Sequence, residues 1–358
     1  MTRTLIFFLS VCLLICSCSN SKKTKDDDTN DKAGITILNY ALKKFEEPSQ
    51  TFKVSGDKPS VVTGRRGTKI SINPNDLITE SGKLLGQNIE VELKELTNTG
   101  QLLKSNAQTT SDGKLLISGG AYFIGVTSNG EQLKLKEGKN LSVQLPKLSD
   151  KEMALFYGQR NDLGQMNWQK ATETFKASKQ PANTTKTNDT TSISYIVWDD
   201  EKKSDIDKIM DYVDSGYNPT PEEKERNIKQ RKNYVVSQKV YDEIGISKLG
   251  WINCDRFLEA DNTTELYATF NPQDSVKNAN VYLVFKDINS VIQASYYSDK
   301  SPQFENMPIG YKARLIAYTV KDEKVFAYST DLTITKGQKI TLHLKEINDK
   351  DFKKLISN

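Results

Sequence analysis

The sequence predicts a mainly β protein: two β-sandwich, immunoglobulin-like domains joined by a linker and a short helical segment. Three observations carry this. Short alternating segments recur at roughly 8–12-residue spacing from Thr51 to about Lys170, with Gly between them. A second β-rich block of the same character runs from about Leu249 to Leu344. Between them, residues 177–193 are a Thr/Asn/Lys-rich stretch that suits a linker. The length of 358 residues is about two domains at roughly 150 residues each. Apolar residues make up 36% of the chain, below the ~45–50% of typical soluble domains, so two modest cores are expected rather than one large dry one.

The chain opens with Arg3 followed by an apolar run, Leu5 to Ile15. A membrane span needs ~20 residues, so residues 1–17 are expected to be a signal peptide. The cleavage region, Ile15-Cys16-Ser17-Cys18, resembles the bacterial lipobox, in which the cysteine after the cut is acylated. Cys16 would place the bulky Ile15 before the cut, which favours Cys18 as the lipidation site. Ordinary secretion with cleavage near Ser17 is the alternative. Cys12 and Cys16 would leave with the signal, so the mature chain would keep Cys254 as its one free thiol and form no internal disulfide.

Residues 18–34 are almost wholly polar and are expected to be a flexible tether. Their Lys22, Lys23, Lys25 and Asp26–Asp28 resemble the charged tail after the cysteine in surface-exported lipoproteins of the Bacteroidetes.

Residues 35–176 form the expected N-terminal sandwich. Thr68–Ile72 alternates, as does Asn88–Lys94, with Ile89, Val91 and Leu93 on one face. Ala121–Thr127 and Leu133–Leu135 flank Asn129-Gly130, a strong hairpin signal. Leu141, Val143 and Leu145 alternate up to Pro146. Residues 177–248 are linker and charged helical segment. There Ile206, Ile209, Met210 and Val213 make one apolar stripe, and Thr220-Pro221-Glu222-Glu223 suits a helix start. Residues 249–345 form the second sandwich, with strands expected at Glu265–Phe270, Val281–Phe285, Val291–Ser295, Lys312–Val320, Val325–Tyr328 and Ile340–Leu344. Residues 346–358 are a charged tail with room for one helix.

Two segments resemble known families. Gly64 to Leu77 is similar to a β-sandwich of ankyrins and netrin receptors that serves protein–protein contact. Val91-Glu92-Leu93-Lys94-Glu95, the stretch from Thr109 to Gly120, and Gly250-Trp-Ile-Asn-Cys-Asp-Arg-Phe257 resemble segments of uncharacterised Bacteroidetes lipoproteins. The resemblance implies an extracytoplasmic β-rich lipoprotein and carries no activity or catalytic residue.

Chemistry-bearing residues are sparse. A formal charge of +4 from 50 basic and 46 acidic residues makes no case for a nucleic-acid partner. The single histidine, His343, excludes sites needing two, and strand parity turns it to solvent. Cys254 shares parity with Ile252 and Leu258, the pattern of a buried inert thiol, although Arg256 on the same parity could activate it. Glu90 and Glu92 lie about 6.6 Å apart on one strand face, a routine solvated pair or a carboxylate pair of hydrolase spacing. Asp255 is the other acid considered for such a role. Asp199-Asp200-Glu201 suits a helix N-terminus. Trp168, Trp198 and Trp251, with Tyr296 and Tyr297, could line a sugar-binding face. Asp274-Ser275-Val276 resembles the O-glycosylation site of exported Bacteroidetes proteins.

The expected protein is therefore a non-enzymatic binding or scaffolding component of the cell envelope. It would be anchored to the outer membrane through lipid on Cys18, either surface-exposed or periplasm-facing, without cofactor or metal. Another envelope protein or a glycan would be its partner. A glycan-binding accessory protein, or a glycan hydrolase using carboxylates alone, is the alternative.

Overall fold

The structure, a computed structural model, describes residues 25–83, 85–175, 240–241, 243–296 and 301–357. The signal segment, Cys18, the expected helices between 206 and 231, Trp198 and Asp199–Glu201 lie outside the described residues. The fold is mainly β, with several antiparallel sheets and few helices.

The described chain opens on α1 (Lys25–Lys43), followed by β1 (Gln50–Ser55), β2 (Ser60–Thr63), β3 (Lys69–Ile72), β4 (Leu77–Thr79) and β5 (Asn88–Leu96). A short α2 (Thr99–Lys104) precedes β6 (Thr110–Ser111), β7 (Lys114–Ser128), β8 (Glu131–Leu135) and β9 (Leu141–Gln144). Then come β10 (Ala154–Arg160), β11 (Met166–Lys170), β12 (Ile244–Ile246) and β13 (Gly250–Phe257). The remaining strands are β14 (Thr263–Phe270), β15 (Ala279–Phe285), β16 (Val291–Tyr296), β17 (Gln303–Pro308), β18 (Lys312–Lys321), β19 (Lys324–Thr333), β20 (Gln338–Leu342) and β21 (Lys345–Ile347). The described chain ends on α3 (Asp349–Ser357).

A nine-stranded sheet in the order β1-β5-β7-β13-β10-β11, with β4, β6 and β8 at its margin, faces the four-stranded sheet β12-β9-β3-β2. Alternation fixes which side chains meet between them. Ile89, Val91 and Leu93 of β5 pack with Tyr122, Ile124 and Val126 of β7 and with Ile70, Val143 and Ile246 opposite. The expected hairpin forms, with Asn129 and Gly130 at φ +52° and +77°, the left-handed pair that a two-residue turn requires.

The second sandwich pairs the five-stranded sheet β16-β15-β18-β19-β21 with the three-stranded sheet β17-β14-β20. Its core holds Leu266, Val281, Leu283, Leu315 and Leu342. β14 and β20 run parallel; the other strand pairs among the described residues of this half are antiparallel.

A third cluster joins the two halves. Leu38 and Leu42 of α1, Leu102 and Leu103 of α2, Phe156 and Trp168 meet Tyr282, Ile316, Tyr318, Phe352 and Ile356. Every residue of β15 is consequently buried, because Val281 and Leu283 face one cluster and Tyr282 and Val284 the other. This explains why its sequence is a continuous apolar run instead of an alternating one.

Two expectations change. The strand Gly250–Phe257, expected to open the C-terminal block, lies in the middle of the first large sheet, hydrogen-bonded to β7 and β10. Both its faces are covered there, which is why Trp251, Ile252 and Cys254 occur together. The polar stretch expected to be tether to residue 34 is helical from Lys25. Ile35, Leu38 and Leu42 dock one face of α1, and a nucleated helix extends into adjoining Pro-free sequence at little cost. The charged tail carries the one helix for which it has room, α3. Asn348 Oδ1 accepts from Asp351 N at 2.9 Å while Asn348 Nδ2 donates to Asp351 Oδ2 at 2.9 Å, and Phe352 and Ile356 are buried.

Candidate functional site

A shallow, half-open concave surface lies at the seam between the halves. It is a cleft of about 200 Å³ lined by Gln108, Thr110, Asn161, Gln165, Met166, Asn167 and Gln293. Gln108 and Thr110 come from the segment after α2. Asn161 to Asn167 come from the turn joining β10 to β11, and Gln293 comes from β16 across the seam.

The residues under the cleft explain why it keeps its shape. Asn106, at φ +47°, accepts from Tyr282 Oη at 2.8 Å and from Gln108 Nε2 at 2.6 Å. Its own Nδ2 donates to Gly164 O at 3.1 Å. Gln108 Oε1 accepts from Met166 N at 2.7 Å, and its carbonyl accepts from Trp168 Nε1 at 2.6 Å. Gln108 Nε2 also reaches Gln293 Oε1. Asn161 Oδ1 accepts from the backbone N–H groups of Leu163 and Gln165, closing the turn. Arg160 donates to the carbonyls of Ser105, Asn106 and Gly164 and stacks over Trp251, 5.2 Å from its ring centroid. Five amides therefore border a cleft whose lining, among the described residues, carries no ionisable group. Such a lining suits hydroxyl or peptide groups, and it offers no general acid or base.

The residues singled out from sequence are not brought together. Glu90 is opposite Thr127 and Asp255 is opposite Ser118 on the same strand β7. Nine residues of strand separate those partners, roughly 30 Å at ~3.3 Å each. Glu90 is exposed and Glu92 half-buried. His343 is exposed, with Nδ1 3.3 Å from Asn271 Nδ2. Ser275 is exposed at φ +47° after a short 3-10 turn, and Asp274 Oδ2 accepts from Leu344 N at 3.0 Å. Trp168 is fully buried, so it lines no sugar-binding face. Trp251 is half-buried between Arg160 and Phe123. Among the described residues no group of three or more His, Cys, Asp and Glu could hold a metal.

Set against family models, curated proteins and solved structures, the chain matches none.

A second polar cluster lies inside the first sandwich. The register of β13 shifts between Asn253 and Asp255 opposite Gly119-Gly120, and Gly120 sits at φ +117°. A side chain there would meet the Tyr122 hydroxyl. Ser118 Oγ donates to Asn253 Oδ1 at 3.1 Å, and Asn253 Nδ2 donates to Asp255 Oδ2 at 2.6 Å. Asp255 is fully buried and its Oδ1 has no hydrogen-bond partner. Burial pushes this carboxyl well above the ordinary carboxylate range, with the nearby Ser118 and Gly119 easing it only in part. Burial likewise raises the Cys254 thiol, as does the Asp255 charge. A thiol shifted that way is a poor nucleophile.

A pH dependence follows. The folded state keeps a proton on Asp255 that the unfolded chain loses near pH ~4. This contribution to stability is whole below that pH and declines as pH rises toward the folded-state pKa. Asp255→Asn removes the ionisation. Its stability relative to wild type should climb with pH, approaching ~1.4 kcal/mol per unit, measured by urea unfolding between pH 5 and pH 8 (roughly the range where folded proteins are most stable). Parallel stability curves for the two proteins would contradict the assignment.

Proposed function

We propose that this chain is a lipid-anchored protein of the bacterial cell envelope, attached to the outer membrane through Cys18, and that it acts by binding rather than by catalysis. The amide-lined cleft at the seam is the observation that carries the binding role. Burial holds Asp255 and Cys254, inside the first sandwich, toward their neutral forms, which supports a non-catalytic reading. The lipobox-like Ile15-Cys16-Ser17-Cys18 segment and the similarity to Bacteroidetes lipoproteins support the anchor. No helix of the described residues is long and apolar enough to cross a membrane.

A neutral glycan suits the cleft better than an ionic ligand, because planar amides recognise hydroxyls in pairs and nothing charged lines the walls. Another envelope protein offering backbone amides would use the same groups. Cross-linking in intact cells followed by pull-down, with a neutral-glycan array run in parallel, tests the reading. Gln165→Ala should weaken the recovered interaction roughly tenfold, about 1.4 kcal/mol, while leaving the melting temperature unchanged. Recovery of no reproducible partner, together with a blank glycan array, would overturn it.

A further inference from the structure

The outward face of α1 combines two features. Tyr40 and Ile37 are 70% and 52% exposed, and with Val61 and Ile309 they make up the exposed large hydrophobics among the described residues. They lie one turn apart on the helix, so their side chains form one patch. Ala33 extends that patch by a further turn, and Lys43 stands exposed at its C-terminal end, while the exposed Lys32 and Lys44 pair with Asp162 and Asp349. The opposite face is spent on packing, through Ile35, Leu38 and Leu42, and the Leu38 carbonyl accepts from Tyr318 Oη at 3.0 Å.

The position of α1 in the chain identifies what this face meets. Six residues separate Cys18 from Lys25. Even fully extended they reach no more than about 25 Å, so the start of α1 cannot stand far from lipid carried on Cys18. We propose that the Ile37–Tyr40 face of α1 rests on the bilayer's headgroup layer and orients the two sandwiches relative to the membrane. This rests on the acylation of Cys18 argued above. An aromatic ring and an aliphatic side chain beside Lys43 suit an interfacial helix, where Tyr sits at headgroup depth and a Lys turns its ammonium to the phosphates. Two side chains would bind a membrane weakly from solution. Tethered through Cys18 they bind at high effective concentration, and a small patch suffices.

The test uses the native acylated full-length protein in vesicles of phosphatidylethanolamine and phosphatidylglycerol. Ile37→Cys carries a nitroxide, with Val61→Cys as the control. Val61 is 63% exposed on the outer side of the four-stranded sheet, across the first sandwich from α1. Cys254 is buried and acylation blocks Cys18, so each variant labels at one place. Collisions with a water-soluble nickel chelate should fall several-fold at position 37 relative to position 61, and collisions with dissolved oxygen should rise. Equal nickel accessibility at the two positions, in protein whose mass includes the acyl chains, overturns the seating of α1 and leaves the anchor standing. Dipolar broadening between labels at position 37 would show a second copy on this face and also overturn it. Protein that fails to float with the vesicles, with Cys18 unmodified by mass, overturns the anchor and the seating together.

Discussion

Replacing Glu95 with Ala should cost this protein about 3 kcal/mol or more, on the scale of hydrogen bonds to a charged group at ~1.5–3 kcal/mol each. Glu95 closes the segment resembling the lipoprotein strand, and it is 5% exposed. Its Oε2 accepts from Gln50 Nε2 at 2.8 Å and from Arg66 N at 2.9 Å, and its Oε1 accepts from Thr68 N at 3.2 Å. The Gly64–Gly67 turn is wrapped around this carboxylate. Gly64 approaches it so closely that a Cβ there would lie 2.7 Å from Oε2. Glu95→Ala leaves these donors without an acceptor, and Thr68 is fully buried. Glu95→Gln keeps one acceptor oxygen and should lose about half as much. Urea unfolding at neutral pH measures both. A loss within ~0.5 kcal/mol for the Ala variant, typical of an ordinary surface site, would show that the turn holds without its carboxylate.

Trp168→Ala should be comparably damaging, at about 3–5 kcal/mol for a fully buried aromatic. The ring is enclosed at 0% exposure, stands edge-on to Trp251 at 6.5 Å between centroids, and leaves room only for glycine at position 158. Trp168→Phe keeps most of the volume but removes the donor to the Gln108 carbonyl, and should lose ~1–3 kcal/mol. Both variants should broaden the unfolding transition of the seam, seen in the near-ultraviolet dichroism of Trp251. A Trp168→Ala protein as stable as wild type would mean that the seam closes without this side chain.

The parts of the fold legible in the sequence are those with local causes. Asn129-Gly130 dictates its own turn, and Ile89, Val91 and Leu93 announce a buried face by alternation alone. Six strands between Glu265 and Leu344 are also visible as apolar or alternating runs, whereas β17, Gln303–Pro308, is not. Nor is the place of β13, because alternation says that a strand exists and is silent on which strand it pairs with. Trp168 looked available for stacking for a similar reason: its cover comes from Gln108 and Trp251, which are distant in sequence. The cleft was invisible because its amides arrive from positions 108, 161–167 and 293, and isolated Asn and Gln residues carry no motif. Glu95 did carry a signal, a carboxylate at an inward-facing strand position beside Leu93. An acid there needs donors, and the Gly-rich Gly64–Gly67 turn could have been proposed as their source.

The insertion of β13 between β7 and β10 has a consequence for how the molecule assembles. Gly250 is the partner of Ile124, so the middle of the largest sheet stays open until the chain has been made and delivered well beyond its midpoint. A polypeptide ending near residue 176 should therefore remain an aggregation-prone intermediate with two bare strand edges. Closure over so long a loop places this protein among the slow folders.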